Sequence, residues 1–221
     1  MSTLVSALID DAAQAIGDPN KQRVQIAQWL SIYNMSLREL CQKANVLKTQ
    51  DIFTLDPVTR YAYPGHMVVL TGIEVSETPD DEGSFRTLDE MFEEEFREAT
   101  SRLFPTAALP THYYATSSFF YLVPMVTTQI EKGGCLTHFG LPENDITDPS
   151  SLLETPDFTR DYVTRRMVVY GLRARHRYAE AKDELALWQA DVDTLHDKME
   201  DRSIDRRATL APRRNRFARM R

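Results

Sequence analysis

Five histidines, two cysteines and a run of glutamates are the residues of this chain whose types could do chemistry. Imidazole and thiolate ligate transition metals, and neighbouring carboxylates can cleave glycosidic bonds or hold hard cations. The spacing supports none of these. His66, His112, His138, His176 and His196 include no HExxH and no pair at the ligand spacing of one helix, so each is expected to be structural or exposed. Cys41 and Cys135 stand far apart without a CxxC, which predicts buried free thiols. Glu93, Glu94 and Glu95 have no aspartate-rich loop or paired histidine beside them and read as a solvated helix face. Ser117-Ser118 lacks a marked base or oxyanion hole, and there is no GxSxG, Walker loop or helix-opening GxGxxG. The chain is expected to be no enzyme and to hold neither metal nor cofactor.

What remains is charge. Residues 202–221 carry eight arginines and one acid, a balance of +7; with −7 for the whole chain, residues 1–201 carry −14. An acidic body repels nucleic acid at long range, while the basic tail can seek phosphates or a carboxylate-lined protein surface. Leu210, Phe217 and Met220 lie among Arg213, Arg214, Arg216, Arg219 and Arg221, so the tail offers apolar anchors as well as charge. A single exposed ion pair contributes only ~0–1 kcal/mol, and such anchors matter.

The elements that must position these residues follow from periodicity. Val163, Met167, Tyr170, Ala174, Tyr178, Ala181, Leu185, Trp188, Val192, Leu195 and Met199 form one stripe at helical spacing. They predict a single long helix over about 157–200, with Pro212 forbidding a simple continuation beyond the tail's midpoint. Two helices are expected before it. The first, about 3–16, ends at Gly17; the second, about 20–44, has Asp18 as its N-cap and Pro19 at its first position. The Asn34-Met35-Ser36 triplet in the second helix matches a glycosylation acceptor by chance. Between Asn45 and residue 140 the pattern turns to short aromatic and branched runs, 46–55, 60–63, 67–75, 112–115, 118–123 and 127–139, which predict antiparallel strands. A hydrophilic loop over 76–84, expected to be mobile, and a helix over about 88–104 opened by a Thr87…Glu90 capping box interrupt them. With 221 residues and 42% hydrophobic content, the chain is expected to be one elaborated α+β domain over 1–201, with a β-rich insertion over about 46–140 and a basic tail over 202–221. No apolar run reaches the ~18 residues of a membrane span. The start, amphipathic with early acids, predicts synthesis in the cytoplasm.

Three local patterns, in this order, resemble one known family. Tyr61-Ala62-Tyr63-Pro64-Gly65 leads into the strand ending at Val75. Pro110-Thr111-His112-Tyr113-Tyr114 precedes an aromatic strand ending at Pro124. A helix opens at Pro156 and runs through Tyr162 and Tyr170. Together with two helices before and a helix after a β-rich insertion, they resemble the head-to-tail adaptor, or connector, ring proteins of tailed bacteriophages. The 76–105 insertion and the arginine tail depart from that pattern.

The resemblance implies a structural virion protein at the head–tail junction: a homo-oligomeric ring, commonly twelvefold, beneath the portal protein. It would extend the channel through which genome DNA passes without sequence recognition, and would carry tail or nozzle proteins, with no membrane partner. In that setting residues 210–221 are expected to insert into the portal and to order on binding. Fully extended, residues 202–221 would span about 65 Å at ~3.3 Å per residue. Glu93, Glu94 and Glu95 are expected to face the channel. The alternative is a nucleic-acid-binding accessory protein whose arginine tail grips phosphates with steep salt dependence.

Overall fold

A computed structural model describes residues 3–58, 60–80, 84–100 and 108–210. The chain is α+β and divides into two compact units, Met1–Val46 with Asn144–Arg221, and Leu47–Glu143.

The first unit is helical. α1 (Val5–Ala15) buries Val5, Leu8, Ile9, Ala12 and Ala13, and stops where Gly17 adopts φ +74° and donates its N–H to the Gln14 carbonyl. Glycine enters this left-handed region at little cost, so the sequence-based end of the helix stands. α2 (Ile26–Ala44) starts later than expected. Asp18 is not its N-cap: the carboxylate accepts from the backbone N–H groups of Gln22, Arg23 and Val24, and so organises the turn before the helix. Burial raises the pKa of Asp18, but these three donors and the Arg175 charge outweigh it and leave the pKa below the ordinary carboxylate range. The helix opens instead on Gln25, whose side chain and that of Gln28 cap it reciprocally, and closes on Asn45 at φ 50°. The Asn34 amide exchanges hydrogen bonds with both backbone groups of Ile146, holding α2 to the connector that comes after the β-rich segment.

The long helix is broken. A short 3-10 turn, Asp157–Thr159, leads into α4 (Arg160–Ala174), and α5 (Tyr178–Leu210) is a separate helix. His176 takes φ 59° at the junction, while the Arg175 and Arg177 N–H groups donate to Leu172 and Gly171 carbonyls at the end of α4. α5 then packs against α4 and α2. The stripe therefore continues through the break in sequence but not in space: Ala174 and Tyr178, its members at the turn, are exposed, and Val163, Met167, Ala181, Trp188, Val192 and Leu195 are buried. One helix would leave half of that apolar surface in water, whereas a reversal lets the two halves cover each other. α4 also lies against α1 and α2. At their contact an added Cβ on Gly171 would come within 2.8 Å of Trp29, so only glycine allows this approach without displacing the indole.

The second unit holds two four-stranded sheets. β1 (Lys48–Leu55), β3 (Met67–Val75), β4 (Arg86–Thr87) and β8 (Ile130–Gly140) form one, in the order β1-β8-β3-β4. β2 (Tyr61–Ala62), β5 (Asp89–Glu90), β6 (His112–Ala115) and β7 (Phe119–Val123) form the other, in the order β2-β7-β6-β5. Leu55, Ile73, Val75 and Leu136 from the first sheet share a core with Tyr113, Phe120 and Leu122 from the second. Phe120 stacks on Tyr61 at 5.2 Å and meets Phe53 edge-on at 5.6 Å. The pairing is antiparallel except for β5 with β6, which run parallel.

The expected helix over 88–104 is shorter, α3 (Glu93–Thr100), and residues 101–107 lie outside the described part. Thr87 and Glu90 do not cap it. They are strand residues, β4 on the edge of β3 and β5 beside β6, because Leu88 between them is buried in the core with its N–H on the Ile73 carbonyl. In the 76–84 loop, Ser84 Oγ lies 2.6 Å from Ser76 Oγ and donates to the Thr78 carbonyl, which ties the described ends of the loop together.

Candidate functional site

The acidic run is a consequence of where α3 begins. Glu93, Glu94 and Glu95 occupy its first turn, where carboxylates complement the free N–H groups and the helix dipole. Glu95 Oε2 accepts from the Phe92 N–H at 3.0 Å, and Glu93 Oε1 accepts from Arg97 Nη2 at 2.5 Å. All three glutamates are exposed. The helix is pinned by Phe96, which stacks on Tyr114 at 4.5 Å and lies 5.0 Å from Tyr121. Phe92, just before the helix, is 78% exposed. The result is an anionic turn presented to solvent by an aromatic support.

At the other end of the chain, α5 runs to Leu210, so residues 202–210 of the expected tail are helical. Arg213, Arg214, Arg216, Phe217, Arg219, Met220 and Arg221 lie outside the described residues. Helical residues advance ~1.5 Å each instead of ~3.3 Å, which lowers the greatest possible reach of residues 202–221 from about 65 Å to about 50 Å.

Two of the five histidines come together. β1 and β3 flank β8 on opposite sides, and in that register Thr49 lies opposite His138 while Met67 lies opposite Gly140. Side chains alternate along a strand, so Thr49, Asp51 and Phe53 share one face of β1. On β8, Leu136 lies opposite Asp51 and enters the core, against which Phe53 packs, and the polar group extends this face of the sheet at the far end. Asp51 Oδ2 lies 3.0 Å from His138 Nε2 and 3.2 Å from His66 Nε2, and Glu143 Oε1 lies 3.8 Å from His66 Nε2. Thr49 Oγ1 is 3.2 Å from His138 Nδ1. The His138 side chain is fully buried, His66 is 20% exposed and Asp51 28% exposed. Sequence spacing gave no sign of this group, because its members stand on three segments joined only by strand register. His112, on β6, has Nδ1 2.8 Å from Thr111 Oγ1, and His176 has Nδ1 3.0 Å from Tyr178 Oη; neither joins it.

Cys41 and Cys135 are buried free thiols, and burial, aided by the Glu154 charge, pushes Cys41 up to about 12, far from a reactive thiolate. A cleft of about 260 Å³ is lined by Asp161, Tyr162, Arg165, Trp188 and Asp191. Its arginine is already held by Glu184 at 3.1 Å and by Asp191, which leaves no nucleophile and base facing one another there. No helix among the described residues is long and apolar enough to cross a membrane. No curated protein matches the chain. A family model described as SU10 adaptor protein matches residues 3–216.

Proposed function

The chain belongs to the SU10 adaptor protein family, bacteriophage head-to-tail adaptors with a structural role in the virion, and from that membership we propose that its copies close into a ring beneath the portal. Twelvefold symmetry is the expected closure. The ring extends the DNA channel, and its lower surface receives tail proteins. Residues 210–221 dock into the portal.

The observation that carries the tail assignment is the passage of α5 from a buried stripe, through Trp188, Val192 and Leu195, into a charged helical end at Leu210 succeeded by arginines. The buried part fixes α5 to the helical unit, and the arginine-rich end is left to serve another protein. Repetition around a ring multiplies weak arginine and apolar contacts into stable attachment. Self-association has support in the apolar side chains that the helical unit leaves in water: Leu4 and Leu152, paired across a β-bridge, with Phe158 and Leu187. Burying such residues between copies contributes ~25 cal/mol per Å².

Deleting residues 212–221 is expected to leave the far-UV spectrum of the helical unit unchanged and to abolish co-sedimentation with portal-bearing capsids. Undiminished co-sedimentation overturns the tail assignment. Negative-stain images of the intact protein with portal should show closed rings; single subunits bound to portal overturn the ring.

The exposed turn at Glu93, Glu94 and Glu95 is assigned to the channel wall, where like charge keeps DNA sliding without adhesion. Changing all three to glutamine should slow genome ejection severalfold at low salt, with less effect at high salt because screening already weakens the repulsion. Ejection rates equal to the parent at both salts remove these residues from the channel.

A further inference from the structure

We propose that Asp51, His66 and His138 bind one divalent transition-metal ion of the Zn²⁺ class, with Glu143 closing the fourth position. The geometry is that of a site with its ligands already gathered. Metal–nitrogen and metal–oxygen bonds of ~2.0–2.1 Å in a tetrahedron put neighbouring ligand atoms ~3.3–3.4 Å apart. Here the carboxylate oxygen of Asp51 is 3.0 Å and 3.2 Å from two imidazole nitrogens, and the three ligand atoms all lie within 4.8 Å of one another. The two Asp51–imidazole distances need to open by only about 0.1–0.4 Å to meet that spacing. The Glu143 carboxylate, 3.8 Å from His66 Nε2 and 66% exposed, reaches the open side by side-chain rotation.

The surroundings fit a metal ligand set. The Thr49 hydroxyl lies 3.2 Å from His138 Nδ1 and 3.3 Å from its Nε2, an outer polar contact of the kind that steadies a ligating imidazole. Gly140 supplies space: a Cβ there would come within 3.1 Å of His138 Cε1 and of the His66 carbonyl, and within 3.2 Å of Thr49 Oγ1. His138 forms a dry floor, whereas Asp51 and His66 are partly exposed and give an ion a path from solvent. Two neutral imidazoles and two carboxylates bring −2, which balances a divalent cation. Nitrogen donors select a zinc-like ion over Ca²⁺ or Mg²⁺, which take oxygen ligands, and the absence of thiolate from the set disfavours Cu(I). Bound metal would join β1, the turn entering β3 and the end of β8, three segments connected otherwise by ladder hydrogen bonds.

The test uses the full chain, stripped with a chelator and desalted, then titrated with Zn²⁺ by calorimetry, with metal content measured after a second desalting. One equivalent of bound Zn²⁺ and a raised thermal midpoint are expected, and Co²⁺ in place of Zn²⁺ should give the intense visible bands of tetrahedral coordination. His66→Ala, at a partly exposed turn position, and Asp51→Asn should each weaken Zn²⁺ binding by at least about tenfold, while His112→Ala should bind as the parent does. Two results overturn the site. One is Zn²⁺ binding that is the same in parent, His66→Ala and Asp51→Asn, which places the ion elsewhere. The other is no retained Zn²⁺ with Asp51→Asn lowering only the thermal midpoint, which makes the group a hydrogen-bonded carboxylate–imidazole network and nothing more.

Discussion

Glu39→Ala should destabilise the helical unit by about 3 kcal/mol, because it strands a buried guanidinium. The Arg166 side chain is 6% exposed and directs Nε and Nη2 at Glu39 Oε2, each at 2.6 Å. Tyr170 donates its hydroxyl to the same oxygen at 3.0 Å, so one carboxylate satisfies three donors. Without it the guanidinium retains the Tyr170 hydroxyl, 3.2 Å from Nη2, and its faces on Trp188, 4.7 Å away, and Tyr170, 4.5 Å away. A cation–π contact supplies ~0.5–2 kcal/mol, less than the cost of leaving the charge unpaired in the interior. Glu39 is 23% exposed, so some water can enter in its place, which puts the effect at the lower end of the range for buried pairs. The comparison that isolates the cause is the double variant Glu39→Ala with Arg166→Met. Removing both charges should restore most of the loss, since the penalty lies in the unpaired charge and not in the absence of the bridge. Both tryptophans, Trp29 and Trp188, belong to the helical unit, so tryptophan fluorescence during urea unfolding reads this unit alone. A loss below about 1 kcal/mol for Glu39→Ala, or no recovery in the double variant, would show that Arg166 is not held as described.

Trp188→Ala should cost about 3–5 kcal/mol and loosen α5 before the rest of the unit. The indole is fully buried, lies under Arg166 and within 5.6 Å of Lys43 Nζ, and donates its Nε1–H to the Tyr162 carbonyl at 2.9 Å. Among the described side chains of α5, the other fully or nearly buried ones, Ala181, Val192 and Leu195, are smaller, so this residue is the largest apolar contact between α5 and its neighbours there. The ion pairs of Arg165 with Glu184 and Asp191 span the same two helices. At 41% side-chain exposure for the arginine, they contribute ~0–1 kcal/mol apiece and cannot replace the indole. Hydrogen exchange should therefore show α5 amides losing protection while α1 and α2 keep theirs. Trp188→Phe should lose only about 1 kcal/mol, the share of the Tyr162 hydrogen bond. Equal protection of α5 in parent and Trp188→Ala would mean that α5 is anchored elsewhere. In the proposed adaptor the same variant has a functional consequence, because a loosened α5 no longer presents the residues beyond Leu210 at a fixed place.

Local chemistry wrote much of the fold into the sequence. Gly17 ends α1 because the left-handed turn suits glycine, and the spacing of Leu37, Leu40 and Ala44 marks the buried face of α2. The branched and aromatic runs after Asn45 locate β1, β3, β6, β7 and β8 to within a few residues, and the α+β class follows from them. The order of the Tyr61, Pro110 and Pro156 patterns carried the family resemblance. All of these depend on neighbours a few positions apart, the range over which residue spacing is informative.

Only the tertiary structure decided the remainder. A stripe of period 3.6 cannot distinguish one long helix from two that fold face to face, and the reversal at His176 is selected by the apolar surface that the hairpin covers. Thr87 and Glu90 have the spacing of a cap, yet β3 and β6 claim them as edge strands because Leu88 between them is buried in the core. Asp51, His66 and His138 meet because β8 runs between β1 and β3 in one particular register, which brings segments 87 residues apart into hydrogen-bond range. Secondary structure answers to spacing along the chain; strand register and helix reversal answer to which surfaces must be buried together, and that is a property of the whole fold.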